Sequence, residues 1–255
     1  MDLGLKDKVV LVTAGSQGIG LATAQGYHRE GARVAICARN ADKLAAAAAT
    51  MPGCLALQAD VSVAAEIEAM TLEVAATLGP IDVLVVNAGG PPPGLFADLD
   101  DAAWLNATNL TLMSAVRMTR AVLPAMRERR WGRIVIISSV GVKQPVPNLT
   151  LSNSVRMAVL GWAKTLAQQV AGDNVLVNTV CPGFTRTARI EQILGPTGQD
   201  GPSPAEAAIA AQIPLGRIAE AEEIAGLAVF LGSQVASYMT GTAIAVDGGS
   251  ARGYA

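Results

Sequence analysis

The sequence has few cysteines, few charges and no long apolar run. Its three cysteines, Cys37, Cys54 and Cys181, are odd in number and show no CxxC spacing, which favours buried reduced thiols over disulfides or a metal site. No apolar stretch reaches the ~18 residues that a membrane-spanning helix needs, and the amino-terminal residues contain no apolar segment of the signal-peptide type. We therefore expect a cytoplasmic protein that holds no metal.

Charge is equally sparse. Charged residues make up 16% of the 255 residues and the net charge is −2, without basic blocks. Nucleic acids and anionic membranes are bound through clustered Lys and Arg, so neither is expected as a partner. Hydrophobic residues make up 51% of the chain, which is high for a monomer and predicts that part of the surface is buried between subunits.

The amino-terminal segment VVLVTAGSQGIG, residues 9–20, predicts a buried strand, a glycine-rich turn and the start of a helix. The strand is expected to end at Thr13, because Gly15, Gly18 and Gly20 follow the apolar run. Without Cβ atoms these glycines let the backbone turn sharply and approach a pyrophosphate, whose charge the helix amino terminus stabilises. A second predicted strand, 33–38, completes the βαβ unit that this interpretation requires.

Strands and helices alternate along the rest of the chain without repeats or linkers. This order predicts one α/β domain, residues 1–255, with a mostly seven-stranded parallel sheet covered by helices on both faces. The predicted strands are 9–13, 33–38, 55–58, 81–86, 132–139, 174–181 and 243–246. The first predicted helix ends near residue 30, and the others span about 41–50, 64–78, 102–129, 151–171 and 220–231.

Two loops are expected at the carboxyl edge of the sheet, where open α/β sheets bind ligands. Residues 91–94, PPPG, cannot continue a strand or a helix because prolines lack amide hydrogens. Residues 184–215 contain several glycines and prolines around an apolar stretch at 205–213. We interpret 184–215 as a lid over the substrate that contains one helix.

Four short motifs resemble those of the short-chain dehydrogenase/reductase superfamily. TAGSQGIG at 13–20 is similar to its TGxxxGxG turn, and NAG at 87–89 matches its NAG turn. CPGFTRT at 181–187 resembles its PGxxxT segment, and VDGG at 246–249 resembles its carboxyl-terminal signature. The resemblance extends from residue 8 to residue 249 and implies a single-domain Rossmann fold, a doubly wound sheet that binds a nicotinamide dinucleotide.

The resemblance also implies which residues contact the cofactor. Asp60 is similar to the acidic residue that touches the adenine ring, and Asn87 to the asparagine that ties the central strands. The residues expected at the cofactor are Gly15, Ser16, Gln17, Gly18, Ile19, Gly20, Arg39, Asp60, Val61, Asn87, Ala88, Gly89, Pro182, Gly183, Thr185 and Thr187. Ala14 departs from the pattern, since it stands where the superfamily has the first glycine of the turn. We expect the turn to bend differently there and the cofactor to bind less tightly.

The end of the second strand predicts which dinucleotide is preferred. An acidic residue there would accept hydrogen bonds from the ribose 2′-hydroxyl of NAD(H), whereas arginine pairs with the 2′-phosphate of NADP(H). The position that is usually acidic is Ala38, and Arg39 follows it. We therefore expect NADP(H) to be favoured over NAD(H). Gln17 occupies a turn position that is basic in many NADP-dependent members, so Arg39 is expected to act alone; the alternative is a solvated surface arginine.

The catalytic positions are the most unusual part of the resemblance. Most members use an Asn-Ser-Tyr-Lys set, in which the tyrosine exchanges a proton with the substrate and the lysine lowers the tyrosine pKa. Aligned from GRIVIISSVG at 132–141, the serine is Ser139. Ser152 stands in place of the tyrosine, Arg156 in place of the lysine and Thr111 in place of the asparagine. Three of the four positions are therefore changed.

The substituted residues still offer chemistry. Ser152 and Arg156 lie one helical turn apart, so they present a hydroxyl and a permanent cation on one face. Arg156 could bind the ribose, stabilise a developing alkoxide or pair with a substrate carboxylate. Lys143, which follows Ser139 in the next loop, could supply the missing proton, and a solvated loop lysine is the alternative.

This pattern is similar to a divergent subgroup of the superfamily named β-ketoacyl-acyl-carrier-protein reductase-like. The resemblance implies an oxidoreductase that moves hydride between nicotinamide and a small-molecule carbonyl or alcohol, with Ser139, Ser152, Arg156 and Lys143 as catalytic candidates. One alternative is a nucleotide-binding protein that has lost redox catalysis and acts as a sensor or partner subunit. A non-redox lyase or isomerase is a third class. The helices at 102–129 and 151–171 are expected to form the interface of a homotetramer, or of a homodimer.

Overall fold

A parallel sheet of seven strands forms the centre of the molecule, in the order β3-β2-β1-β4-β5-β6-β7. The computed structural model describes residues 1–190 and 203–253. Neighbouring strands run parallel throughout the sheet. The strands are β1 Val9–Val12, β2 Arg33–Ala38, β3 Leu55–Gln58, β4 Val83–Val86, β5 Gly132–Ile137, β6 Val175–Pro182 and β7 Ala243–Val246.

Helices connect and cover these strands. In the described ranges they are α1 Gly18–Arg29, α2 Ala41–Ala49, α3 Ala64–Thr77, α4 Asp101–Thr108, α5 Ser114–Glu128, α6 Thr150–Val170, α7 Pro204–Ala210 and α8 Ala221–Leu231. A π-helical turn, Asn109–Met113, separates α4 from α5. The prediction of one uninterrupted helix over 102–129 is therefore wrong. Such turns are frequent at functional sites, and this one contains Thr111.

The sheet is buried on both faces, which explains its apolar strand sequences. Every residue of β1, β4 and β5 is buried. Helices α1, α2 and α8 cover one face with side chains that include Tyr27 and Ile224. Helices α3, α5 and α6 cover the other face with side chains that include Met118 and Val159. This two-sided packing confirms the predicted doubly wound Rossmann-like fold.

Strand β5 ends two residues earlier than predicted, and the reason is a local cap. Ser139 begins a 3₁₀ turn, Val140–Val142, and its hydroxyl oxygen accepts a hydrogen bond from the Gly141 amide at 3.0 Å. This cap draws the backbone out of the sheet. It also fixes the Ser139 side chain at the carboxyl edge.

The predicted lid at 184–215 is only partly described, because residues 191–202 lie outside the described ranges. Its predicted helix is present as α7, which begins with Ser203 as the capping residue. In the part of the chain that the structure describes, no helix combines the length and apolar character needed to cross a bilayer. Nor do the described His, Cys, Asp and Glu side chains form a group of three suited to a metal ion.

Candidate active site

A cavity of about 800 Å³ opens at the carboxyl edge of the sheet, where the ends of β1, β4, β5 and β6 converge. This volume is in the range that holds cofactors and their substrates. Most of the predicted site residues line it: Ser16, Gln17, Gly18, Ile19, Arg39, Asp60, Val61, Asn87, Ala88, Gly89, Ser139, Ser152, Arg156, Pro182, Gly183, Thr185 and Thr187. Three predicted residues do not line it, namely Gly15, Gly20 and Lys143.

Gly15 and Gly20 shape the turn from behind the cavity wall. A Cβ atom on Gly20 would lie 2.3 Å from the Ala14 carbonyl oxygen and 2.7 Å from the Asn87 side-chain nitrogen. A Cβ atom on Gly15 would lie 2.8 Å from the Ile36 side chain. Both positions therefore require glycine for close packing. The packing places the amide groups at the start of α1 at the cavity, where such groups hold phosphate.

Ala14 occupies a strained position in the same turn. Its φ angle is +47°, in the left-handed region that glycine adopts most easily. This conformation costs an alanine about 1 kcal/mol. Gly18, with φ of +55°, takes a left-handed conformation in the same turn at no such cost. The backbone therefore accommodates the substituted residue through strain.

Asn87 joins the two central strands, β1 and β4. Its amide donates a hydrogen bond to the Thr13 hydroxyl oxygen at 3.0 Å, and that hydroxyl donates to the Asn87 carbonyl oxygen at 2.7 Å. The Asn87 side-chain nitrogen also donates to the Ala14 carbonyl oxygen at 3.4 Å. These bonds hold the end of β4 against the glycine turn, as the resemblance implied.

Two cations lie at the end of the cavity formed by β2 and α2. The Arg39 guanidinium is 3.9 Å from the Asp60 carboxylate, and its side chain is 76% exposed. The Lys43 ammonium donates to the Gln17 side-chain oxygen at 3.1 Å. Lys43 lines the same cavity, so a second cation lies beside Arg39 that the sequence prediction did not include. The sequence signal was available, because Lys43 lies one helical turn after Arg39, in the first turn of α2.

Arg156 is buried and fastens α6 to the end of β5. Its Nε donates to the Ser152 hydroxyl oxygen at 3.2 Å, so the predicted pair is in contact. Its Nη1 donates to the carbonyl oxygens of Ile137, at 3.2 Å, and Ser138, at 3.0 Å. Burial lowers the pKa of Arg156 to about 10, and the charge of Arg189 adds to this shift. At neutral pH the group is still a cation that lines the cavity.

Ser139 lines the same cavity as this guanidinium. The oxygen already accepts the Gly141 amide, so the hydroxyl hydrogen can be donated to an acceptor in the cavity. Thr111 lies deeper, against a separate void of about 10 Å³ that Ser138 and Arg156 also line. The Thr111 hydroxyl has no hydrogen-bond partner among the described residues. Thr111 therefore lies beneath the main cavity and does not line it.

Lys143 follows the 3₁₀ turn and lies beside Cys181. Burial raises the pKa of the Cys181 thiol to about 11, and the nearby charge of Lys143 opposes that rise. Lys143 is half-buried but does not line the cavity. Direct donation of a proton from Lys143 to a bound substrate is therefore not supported by its position.

Arg189 lines the cavity but was not among the residues predicted from the sequence. Its Nη2 donates to the Pro91 carbonyl oxygen at 2.5 Å, in the proline-rich loop after β4. A Cβ atom on Gly90 would lie 3.2 Å from both Nε and Nη2 of Arg189. The motif that precedes Arg189 gave no signal for this contact, because the contact joins segments that are far apart in the sequence.

Comparisons with known proteins agree with this geometry. Residues 13–251 match the family model described as Enoyl-(Acyl carrier protein) reductase. The chain is 35% identical over 249 residues to the 3-oxoacyl-[acyl-carrier-protein] reductase FabG of Thermotoga maritima, which covers 96% of this chain and 98% of that protein.

Two solved structures extend the comparison. L-sorbose reductase from Gluconobacter frateurii, complexed with NADPH and L-sorbose, gives a TM-score of 0.93 at 33% identity and covers 99% of this chain and 100% of that one. A short-chain oxidoreductase from Pseudomonas aeruginosa PAO1, NADPH-bound and containing an atypical catalytic center, gives a TM-score of 0.91 at 32% identity. The match covers 98% of this chain and 99% of that one.

A doubly wound sheet with a glycine turn, a serine and a buried guanidinium at its carboxyl edge defines a dinucleotide-dependent oxidoreductase of the Rossmann type. The chain belongs to the short-chain dehydrogenase/reductase superfamily, and within it resembles the ketoacyl reductases. It is an NAD(P)-dependent oxidoreductase, as the motifs implied.

Proposed function

We propose that this protein uses NADPH to reduce a small carbonyl compound, and that Ser139 and Arg156 polarise the substrate oxygen. The observation that carries the proposal is the position of Arg156. Its guanidinium is buried, lines the cavity and is bonded to the peptide that precedes Ser139. A fixed cation and a fixed hydroxyl therefore face the same space.

The residues of the cavity fit a nicotinamide dinucleotide. Gly18 lines the cavity where a pyrophosphate would approach, Gly20 packs behind it against Ala14 and Asn87, and the amides of α1 follow directly. When bound, the dinucleotide supplies the hydride from its nicotinamide C4. The protein stabilises the negative charge that develops on the substrate oxygen and positions the carbonyl carbon to accept the hydride.

Each polar residue has a distinct role in this proposal. The Ser139 hydroxyl donates a hydrogen bond to the carbonyl oxygen, and Arg156 offsets the negative charge that develops there. Ser152 orients Arg156 through its bond to Nε. Neither a serine hydroxyl nor an arginine is a good acid at neutral pH. We therefore assign the final proton to water, or to Lys143 acting through water, and expect a slower enzyme than one with tyrosine, since a general acid is typically worth ~10²–10⁴-fold.

NADPH is the preferred cofactor in this proposal because Arg39 and Lys43 both face the end of the cavity beyond β2. Together they offer two cations to a 2′-phosphate, whereas among the described lining residues Asp60 alone could favour an uncharged ribose. The L-sorbose reductase and the P. aeruginosa oxidoreductase both hold NADPH. Both findings support NADP(H) over NAD(H).

The direct test is NADPH oxidation with a panel of ketones and 3-oxo esters. We expect Ser139→Ala and Arg156→Ala each to lower kcat/KM by about 10²-fold or more, since each removes a donor aimed at the developing oxyanion. Arg156→Lys, which keeps a positive charge, should recover part of the kcat/KM that Arg156→Ala loses. Such a recovery would show that the loss comes from the missing charge and not from misfolding. Ser154→Ala is the matched control, because Ser154 lies exposed on α6 and bonds only to Thr150 of its own helix.

The second candidate function is nucleotide binding without redox catalysis. The changes at Thr111, Ser152 and Arg156 favour it, because they remove the usual acid and its partner. Under this alternative NADPH would bind, yet no carbonyl in the panel would be reduced, and the Ser139 and Arg156 variants would match the wild type. A lyase or isomerase would instead convert substrate without any change in nicotinamide absorbance.

We further propose a homotetramer, or at least a homodimer, in the cytoplasm. Two large apolar side chains are exposed on the helices expected at the interface: Leu105 of α4 is 64% exposed and Met157 of α6 is 49% exposed. Burial against a second copy would remove this apolar area from water. Cytoplasmic placement is supported by the free cysteines Cys37, Cys54 and Cys181.

A further inference from the structure

We propose that the substrate is an oxo acid, whose carboxylate binds Arg189 while its carbonyl oxygen faces Ser139 and Arg156. This inference rests on the proposed function and names the substrate class that the same cavity selects. It assigns to Arg189 a role in specificity. That role is separate from the chemistry at the carbonyl.

The charges that line the cavity are unevenly distributed. Of the described lining residues, the cations are Arg39, Lys43, Arg156 and Arg189, and the only carboxylate is Asp60. Asp60 lies beside Arg39, at the end assigned to the adenosine. The opposite end therefore holds two guanidinium groups and, among the described residues, no carboxylate on the cavity wall.

Arg189 is held in place at that end. The Pro91 carbonyl oxygen accepts from its Nη2, and the guanidinium packs on the backbone of Gly90. Among the described residues this carbonyl is the one acceptor of Arg189, and it engages only a small part of a guanidinium, which carries five N–H donors in a planar fork. A ligand carboxylate matches that fork through two parallel hydrogen bonds.

The two arginines also influence each other. Burial lowers the pKa of Arg189, and the positive charge of Arg189 contributes to the lowered pKa of Arg156. Two like charges that are partly removed from water destabilise each other. A bound anion relieves both effects at once, whereas a neutral ketone relieves neither. The electrostatics therefore favour an acidic substrate.

A competing role for Arg189 is contact with the cofactor pyrophosphate. Thr187 packs against Gly18 of the phosphate-binding turn, and Arg189 follows Thr187 by two residues. The contacts of Arg189 with Gly90 and Pro91 place it against the loop after β4 instead. The experiment below separates the two roles by measuring cofactor and substrate independently.

The test is calorimetric binding to the protein saturated with NADP⁺, which has no hydride to give. Acetoacetate and methyl acetoacetate share the same ketone and differ in charge. We expect acetoacetate to bind at least about tenfold more tightly. Arg189→Leu should bring the acid-to-ester ratio of affinities close to one, and Arg189→Lys should retain part of it. Arg186→Ala is the matched control, since Arg186 is paired with Glu206 at 2.7 Å and with Glu220 at 3.0 Å and does not line the cavity.

Two results would overturn the inference. One is equal affinity of the wild type for the acid and the ester. The other is a weakened affinity for NADP⁺ in Arg189→Leu together with equal losses for acid and ester, which would make Arg189 a cofactor ligand. The calorimetric test involves no turnover, so it does not depend on the catalytic proposal. If only the catalytic proposal fails, acetoacetate will still bind with the expected preference, but no carbonyl compound will oxidise NADPH.

Discussion

In the proposed mechanism the Arg156 guanidinium stabilises the developing oxyanion, and burial sets the pKa at which the group loses its proton. A group that is penalised when charged gives up its proton more easily, so burial lowers the pKa of Arg156 from its ordinary value to about 10. Below that pH the cation is present and can stabilise an oxyanion. The same penalty opposes folding at neutral pH and is relieved only as the pH rises from about 10 towards the ordinary arginine pKa.

The pH dependence of the rate follows from this titration. We expect kcat/KM to be level between about pH 7 and 9 and to fall as the pH rises through about 10, where the guanidinium loses its proton. Arg156→Lys should lose activity at a lower pH, because burial lowers the pKa of a lysine from an ordinary value of about 10.4. Profiles of kcat/KM against pH for the two proteins check this prediction. If the two profiles coincide, the titration of residue 156 does not determine the rate.

The proposed preference for NADPH rests on two residues, Arg39 and Lys43. We expect the Arg39→Ala, Lys43→Ala double variant to raise the KM for NADPH by about 10- to 100-fold, the loss of one or two charge-assisted contacts, with little change in the KM for NADH. Arg33→Ala is the control, since Arg33 is exposed at the opposite end of β2. An equal rise for both cofactors would mean that these cations do not meet a 2′-phosphate.

These residues also show what the sequence could predict. Ser139, Ser152, Arg156 and Arg39 were found from their register relative to nearby motifs, because local spacing determines them. Lys43 was missed although its position four residues after Arg39 could have indicated it, whereas Arg189 was missed because its place in the cavity depends on a contact with Pro91, 98 residues away. Side chains that act through tertiary contacts leave no periodic signal.

Among the elements, the turn between β1 and α1 leaves no room for a side chain at Gly20. Gly20→Ala would force a Cβ atom against the backbone oxygen of Ala14, which cannot move aside. We expect a loss of about 2 kcal/mol or more in unfolding free energy, or roughly 4 °C or more in Tm, and a loss of NADPH affinity.

The control for this prediction is Gly226→Ala in α8. Gly226 is exposed, and an added Cβ would meet nothing within 4 Å. Helix propensity alone then applies, and it favours alanine by about 1 kcal/mol. Thermal denaturation should therefore move in opposite directions for the two variants. A tolerated Gly20→Ala would show that the turn has more room than the structure indicates.

In the segment from α4 to α5 the sequence predicted helix correctly but did not predict the interruption between the two helices. Its apolar spacing predicted one helix, and the π-helical turn at 109–113 shifts the register in the middle. Each residue there has ordinary helix propensity, so no local signal marks the change. The turn contains Thr111, which is buried against the small void beneath the site, and that burial is a property of the folded molecule.

At the scale of the whole molecule, the seven strands could be predicted because a parallel sheet is buried on both faces. Each strand is then a short apolar run bounded by turns, as in VLVV at 83–86 and GRIVII at 132–137. The strand order 3-2-1-4-5-6-7 came from the structure, because crossovers set it and no residue pattern encodes it.

Assembly is the whole-molecule property that remains a proposal. We expect the wild type to sediment as a tetramer or dimer at micromolar concentration, and Leu105→Arg with Met157→Arg to shift it towards monomer, because charge on an apolar contact surface is costly to bury. Leu72→Arg is the control, since Leu72 is 64% exposed on α3, outside the proposed interface. A monomeric wild type would contradict the assembly.

The most direct test of the account is transfer of deuterium from NADPH labelled at nicotinamide C4. Methyl acetoacetate incubated with the wild type should yield an alcohol that carries the label on its carbinol carbon. The label should appear at least about 100-fold more slowly with Arg156→Ala. An absence of labelled alcohol, from a protein shown to be saturated with NADPH, across this ester and a broad panel of ketones and oxo acids would contradict the account. It would leave a dinucleotide-binding protein without redox chemistry.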